Sequence, residues 1–330
     1  MEDIINVVVP VYNAEAYMDR CLKTLTEQTY KNLKIYLVDD CSTDHSAAKC
    51  DEWAAKDKRI TVIKEKVNQG SANARNKALD CVDFTTGYVA FVDVDDYVHP
   101  DYFKRMQEML ERNHADVVWV DVINTHDAVQ ITYDESGFEN AKEELYTGKE
   151  ILMREDWRIM YSMLWGKLYK APIWADIRLP KECRYFQDGA TTFKVLYKAK
   201  RIVKSDIKLY YYYYSPNSAT RSSVNELKCR CGLFTCTEKI DFYTEKNESE
   251  LLEMAYVGYV NIILKNIGRS KYCENPKELR REMKQLYREN YMRAVKNKQL
   301  PLIQRLKYIV YRVFPDIQQV YIALKMKIKS

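Results

Sequence analysis

Val89-Ala90-Phe91-Val92-Asp93-Val94-Asp95-Asp96 decides how the chain is read. An apolar run passes straight into a segment carrying three carboxylates. A short apolar run of this kind reads as a buried strand. In an open α/β sheet, ligands bind outside the carboxyl ends of the strands. Asp93, Val94, Asp95 and Asp96 are therefore expected at that edge. Crowded carboxylates repel unless a cation joins them, and oxygen ligands suit Mg2+ or Mn2+. Such a cation completes its shell with phosphate oxygens. An acidic turn that merely caps the next helix has the same local sequence, so the rest of the chain must decide.

Working outward, apolar runs at 4–9, 33–38, 60–63, 88–92 and 116–122 read as strands. Amphipathic helices fall between them. One runs through Met18, Cys21, Leu22 and Leu25, with Asn13 expected as its N-cap. A second is expected to start at Ser42 or Thr43 and to end near Lys56. A third follows the loop Asn68-Gln69-Gly70, and a fourth opens at Pro100-Asp101. Strands alternating with helices predict a mostly parallel sheet with helices on both faces. Polar groups recur just past the strands: Pro10 and Tyr12, Asp39 and Asp40, Asn68 with Arg75 beyond it, then Asp93 and Asp95. Several strand ends aiming such groups at one edge outweigh any single motif. The G-x-G-x-x-G dinucleotide loop and the Walker loop are both absent, so a glycine cradle for phosphate is not expected.

Beyond Thr125 the pattern changes. Residues 124–149 are polar and read as hairpins or loops. Trp165-Gly166-Lys167-Leu168-Tyr169 and Phe186-Gln187-Asp188-Gly189-Ala190-Thr191-Thr192 follow, then a strand at 207–214 that ends in five tyrosines. That tyrosine run reads chiefly as a strand with aromatics on both faces. A polar loop at 215–223 carries Arg221, and from Val224 onward the chain reads as helical. The expected organisation is one domain at 1–222, with halves 1–123 and 124–222, and a helical region at 223–330.

Composition narrows the class. The 330 residues are 47% hydrophobic and 30% charged, with no apolar run near the roughly 20 residues of a membrane span. The acidic start Met1-Glu2-Asp3 is unlike a signal peptide. Nine cysteines, an odd number, fit free thiols better than a disulfide framework. Net charge is +5, yet residues 297–330 hold seven Lys/Arg against one acid, leaving the remainder at −1. A neutral body argues against a nucleic-acid partner.

These motifs resemble the family 2 inverting glycosyltransferases of GT-A fold, of the bacterial surface-polysaccharide type. The resemblance runs from Val7 to about Arg221. It rests on Val9-Pro10-Val11-Tyr12-Asn13, Val38-Asp39-Asp40-Cys41-Ser42-Thr43-Asp44, Asn68-Gln69-Gly70 through Arg75-Asn76, Asp93-Val94-Asp95-Asp96, Trp165-Gly166-Lys167 and Asp188-Gly189. It implies a nucleotide-sugar donor, usually UDP-linked. Pro10, Tyr12, Asp39, Asp40, Asn68, Arg75, Asp93 and Val94 would line its site. Within that set Asp40 would meet the base and Asp93 the ribose. Asp95 would hold Mn2+ or Mg2+ on the diphosphate. Asp188 would be the catalytic base, with Gln187 standing where the family commonly has Glu. Trp165, Lys167 and Arg221 are candidates for an acceptor or diphosphate loop. The acceptor would be a glycan, on a lipid carrier.

Other readings compete. A phosphatase with an Asp nucleophile expects that residue on its first strand, whereas DVDD follows the fourth. A nucleotidyltransferase shares the sheet and the metal logic. A non-catalytic sugar-nucleotide-binding protein has no need of Asp188. His99 reads as a solvated residue at a helix entry more readily than as a metal ligand.

The C-terminal stretch has its own pattern. Leu302, Ile303, Leu306, Ile309, Val310, Val313 and Phe314 recur on one helical face beside Arg305, Lys307 and Arg312. After Pro315 the spacing resumes from Ile317 to Ile328, and Lys325, Lys327 and Lys329 close the chain. This predicts an interfacial helix on an anionic membrane surface, the protein being cytoplasmic and peripheral on the inner face of the cell membrane. The competing expectation is a helix pair packed on the catalytic domain.

Overall fold

In the computed structural model, residues 3–127, 129–136, 138–214 and 223–314 are described. Arg221 and the stretch after Pro315 lie outside them. The chain forms two compact units, Met1–Ser218 and Ala219–Ser330.

The first unit is built on one sheet. Its strands are β1 (Ile5–Val11), β2 (Leu33–Asp39), β3 (Ile60–Lys64), β4 (Tyr88–Phe91), β5 (Tyr97–Val98), β6 (Val117–Thr125), β7 (Glu143–Tyr146), β8 (Lys167–Lys170) and β9 (Ile202–Tyr213). The spatial order is β3-β2-β1-β4-β8-β6-β9-β5, with β7 also on β9. The strands from β3 to β4 are parallel, as the alternation with α1 (Met18–Thr26), α2 (Ser46–Lys56) and α3 (Ser71–Leu79) predicts. Beyond β4 the sheet is mixed. β8 enters antiparallel between β4 and β6, and β9 runs parallel to β6. The parallel order read from the sequence therefore covers the first half of the sheet only. β6 is not the neighbour of β4, because the short β8 fills that place.

Strand lengths position the edge. β1 pairs with β4 only as far as Val8 and Phe91, but with β2 as far as Val11 and Asp39. Val8 accepts a hydrogen bond from the Val92 amide, so residues two apart from Val8 face the β4 side. Pro10 is such a residue. Its missing N–H falls where β4 has ended, so no ladder bond is lost in this central strand. Gly87, just ahead of β4, has φ +78°, and a Cβ there would come within 2.5 Å of the Ile4 carbonyl oxygen. Only glycine lets β4 start this close to β1.

The caps expected at Asn13 and at Ser42 or Thr43 are replaced by a lock between loops. Asn13 has φ +47° and its Oδ1 accepts from the Thr43 amide, while Ser42 Oγ accepts from the Asn13 amide. The loops after β1 and β2 are thus tied together at the edge that β1 and β2 reach.

The core on one face of this sheet runs from Ile5, Val7 and Val9 through Phe103 and Met106 of α4 (Tyr102–Arg112) to Leu168 and Val203. The second unit holds α8 (Glu226–Glu245), α9 (Ser249–Arg269), α10 (Pro276–Lys296) and α11 (Leu302–Val313), following α5 (Gly148–Met153), α6 (Arg158–Ser162) and α7 (Thr192–Lys198) of the first. Its core is formed by Val257, Val260, Ile263, Leu264, Met283 and Tyr287 with their neighbours. No helix of the described residues is long and apolar enough to cross a membrane.

Candidate active site

Arg75 is the centre of the site. It lies on α3, is 5% exposed, and reaches two acids from different parts of the chain. Its Nη2 donates to Asp93 Oδ1 at 2.7 Å and its Nη1 to Asp188 Oδ1 at 3.1 Å. Burial works against the Arg75 charge, and Asp188 and Asp93 outweigh it, so the guanidinium is held above its ordinary value. Asp93 follows β4, and Asp188 sits in the turn ahead of α7. That turn is fixed by the Thr191 and Thr192 amides, which donate to the Asp188 carbonyl at 3.0 and 2.8 Å. Residues 113 apart in sequence are brought into one ion cluster. The Asp188 side chain keeps 20% exposure, enough for a substrate atom to reach it. Burial raises its carboxyl, Arg75 lowers it, Asp93 raises it and Lys167 lowers it; the balance lies above the usual carboxylate range.

The three carboxylates after β4 have separate fates. Asp93 is bound to Arg75. Asp96 is fully buried, with Oδ2 accepting from the Tyr210 hydroxyl at 2.6 Å and Oδ1 from the Tyr213 amide at 2.7 Å. Burial, then Asp95 and Asp93, push Asp96 well above the usual range. Asp96 is therefore a structural acid. Asp95 is partly exposed, and its carbonyl accepts from Arg20 Nη2 at 2.6 Å.

The Tyr210 hydroxyl also accepts from the Asp93 amide at 3.2 Å. A relay runs from Asp93 through Tyr210 to Asp96 and holds the acidic turn in shape. Tyr210→Phe is expected to leave the Asp93 amide and Asp96 Oδ2 short of a partner. The expected loss is about 1–3 kcal/mol of stability, read as a lower midpoint in urea with an unchanged slope. An unchanged midpoint would show that the relay does not hold the turn.

At the β2 edge, Asp39 accepts from the Ser42 amide at 3.3 Å. Asp40 is 2% exposed, and its oxygens accept from the Gln69 amide at 2.9 Å and the Gly70 amide at 2.6 Å. Asp40 thereby fastens the loop bearing Asn68 to the end of β2. The Asn68 carbonyl accepts from Arg184 at 3.4 Å. Tyr12 is 49% exposed, whereas Val94 is buried.

Other expectations are corrected. Trp165 is not on an open loop: it is buried and stacked on Tyr210, ring centroids 5.1 Å apart, and on Tyr212. Lys167 lies in β8, buried, its ammonium donating to the Met160 and Met163 carbonyls at 3.1 and 2.7 Å. Burial lowers its pKa to about 7, against the pull of Asp188. His99 is not solvated: it is buried against Tyr133 and Phe138, with Nδ1 accepting from the Asp101 amide. Gln187 is buried and donates to Ser71 Oγ at the start of α3, so it links the Asp188 turn to the helix that carries Arg75.

Arg20 was missed by sequence reasoning. It is buried on α1, bonded to the Asp95 and Asp127 carbonyls and set over the Tyr97 ring at 4.8 Å. One charged residue on an amphipathic helix gives no sign of such burial. Tyr210 was also missed as a site residue, because the tyrosine run reads as ordinary strand.

Among the described residues, no group of three or more His, Cys, Asp or Glu is gathered around a common cation position. A divalent cation on substrate phosphates needs only one or two protein carboxylates, with phosphate and water oxygens completing its shell. Asp95, partly exposed beside Asp93, matches that requirement; a cage made wholly of protein does not form here.

The sequence pattern described as Glycosyl transferase family 2 matches residues 6–171. The chain is 31% identical over 226 residues to glycosyltransferase GlyA of Streptococcus pneumoniae, a match covering 67% of this chain and 32% of GlyA. It is 31% identical over 226 residues to GlyG of the same organism, covering 64% of this chain and 71% of GlyG. The chain thus spans about a third of GlyA and most of GlyG. The crystal structure of S. aureus TarS 1-349 in complex with UDP-GlcNAc has the same fold, with TM-score 0.64 at 20% identity over 97% of this chain and 91% of that one.

Proposed function

The chain belongs to glycosyl transferase family 2, and from that premise we propose that it moves a sugar from a UDP-sugar to a hydroxyl of a glycan acceptor, with inversion at the anomeric carbon. The observation that carries this reading is the Arg75 bridge between Asp93 and Asp188. It sets a raised-pKa carboxylate beside the acid expected to meet the donor.

In this mechanism Asp188 accepts the proton of the acceptor hydroxyl as that oxygen attacks the anomeric carbon. The carbon–oxygen bond to the diphosphate breaks in the same displacement, so one base suffices. Asp93 holds the ribose, and Arg75 keeps Asp93 and Asp188 at fixed separation. Asp40 sets the loop at Asn68 against which the base lies, and Tyr12 is exposed at the same edge. Mn2+ or Mg2+, held by Asp95 when bound, would compensate charge on the departing diphosphate. That TarS has been solved with UDP and with UDP-GlcNAc supports a UDP-linked donor. We infer further that the acceptor is a lipid-linked glycan in capsule, O-antigen or similar surface-polysaccharide assembly.

A panel of UDP-, GDP- and dTDP-sugars tests this, scoring thermal shift and nucleotide release in parallel. The expected result is a shift and slow UDP release with one or a few UDP-sugars. A shift without release, with acceptor present, would identify a non-catalytic sugar-nucleotide-binding protein. A response confined to another nucleotide would refute the UDP assignment.

A further inference from the structure

α11 packs on the second unit through its tyrosines. Tyr308 and Tyr311 are buried, the Tyr308 hydroxyl donates to Asn261 at 3.0 Å, and its carbonyl accepts from the Tyr287 hydroxyl at 2.7 Å. The other side of the helix is apolar and exposed. Its seven non-tyrosine apolar residues, Leu302 to Phe314, are between 43% (Ile309) and 71% (Ile303) exposed. At about 100° per residue these seven span an arc of about 140°. Lys307 borders one edge of that arc, and Arg305 and Arg312 border the other. No acid occurs from Leu302 to Phe314.

We propose that this face of α11 is a binding surface for an anionic lipid bilayer, the helix lying in the plane of the headgroups. Three observations select lipid over a protein partner. The apolar arc is wider than the narrow seam of a coiled coil, and its residues stand on a single convex helix. Cations flank the arc on both edges, as on a helix floating at a charged interface. The whole positive excess of the chain is concentrated from residue 297 onward, where the sequence past Pro315 repeats the apolar and basic pattern. The proposal rests on residues of the second unit alone and does not depend on the reading of the Arg75 cluster.

The test is flotation or sedimentation of the full chain with vesicles of phosphatidylglycerol and phosphatidylcholine against phosphatidylcholine alone. Binding to the anionic vesicles is expected to be at least about tenfold stronger and to weaken with salt. Ile303→Glu combined with Val310→Glu should remove it. Lys307→Glu combined with Arg312→Glu should remove the preference for anionic lipid. Both variants should keep the thermal midpoint and the donor-induced shift of the parent. The proposal is overturned if the parent binds neither vesicle or binds both equally, or if the charge reversal changes nothing. It is also overturned if Ile303→Glu with Val310→Glu unfolds the protein, which would mean the face is packed, or dissociates a dimer, which would assign the face to a second copy.

Discussion

Asp188→Asn is expected to bind the UDP-sugar with unchanged affinity and to lose transfer by about 10²–10⁴-fold, the range of a removed general base. The asparagine carbonyl oxygen can still accept from Arg75 Nη1, so the turn and α3 keep their contact. Asp93 remains to balance the guanidinium. What disappears is the lone pair that takes the acceptor's proton. The parent's pH profile should carry the same signature. The ionised carboxylate is the active form, and its pKa lies above the usual range because burial outweighs Arg75. The parent's kcat/KM therefore falls as pH drops through that raised value, sooner than an ordinary aspartate would dictate. The variant's residual rate should lack this limb. Calorimetric titration with donor and a UDP-release assay separate binding from turnover. Loss of donor binding, or transfer at the parental rate, would remove Asp188 from the role of base.

The sequence carried the polar edge of the parallel strands because each strand there is an apolar run that stops at polar residues. Asp39, Asp40, Asp93 and Asp95 could be assigned to one edge by that rule alone. The rule fails where a polar residue is itself inside. β8 is only Lys167–Lys170, and its buried lysine breaks the apolar run that would mark a central strand, so its insertion between β4 and β6 was hidden. Arg20 and His99 were misjudged for the same reason. Each is buried with hydrogen-bond partners from distant segments, and no spacing rule reveals those partners. The loop lock of Asn13 with Ser42 and Thr43 reads in sequence as two helix caps because a cap and a tertiary contact use the same side chains. The separation of the Asp93, Asp95 and Asp96 roles was likewise invisible. It depends on Tyr210, which lies more than a hundred residues further along the chain.

That separation makes the effect of Asp95→Ala specific. Asp96→Ala would leave the Tyr210 O–H donor and the Tyr213 amide without their acceptor in the interior, and Asp93→Ala would leave Arg75 with one acid. Asp95 is different: its side chain is partly exposed, and its backbone carbonyl accepts a bond from Arg20 that an alanine would keep. The variant should keep its turn, because that backbone bond does not depend on the side chain. Transfer should nevertheless fall by about 10²–10³-fold, the scale seen when one preorganised electrostatic contact to a developing charge is removed. UDP affinity supplies a readout independent of turnover. For the parent it should rise on adding Mn2+ or Mg2+ and fall with chelator, because the diphosphate completes the cation's shell. For Asp95→Ala the two titrations should coincide at the weaker value. A parent whose UDP affinity ignores chelator, or a variant that retains the metal response, would mean that Asp95 does not hold the cation and that the leaving diphosphate is balanced by side chains alone.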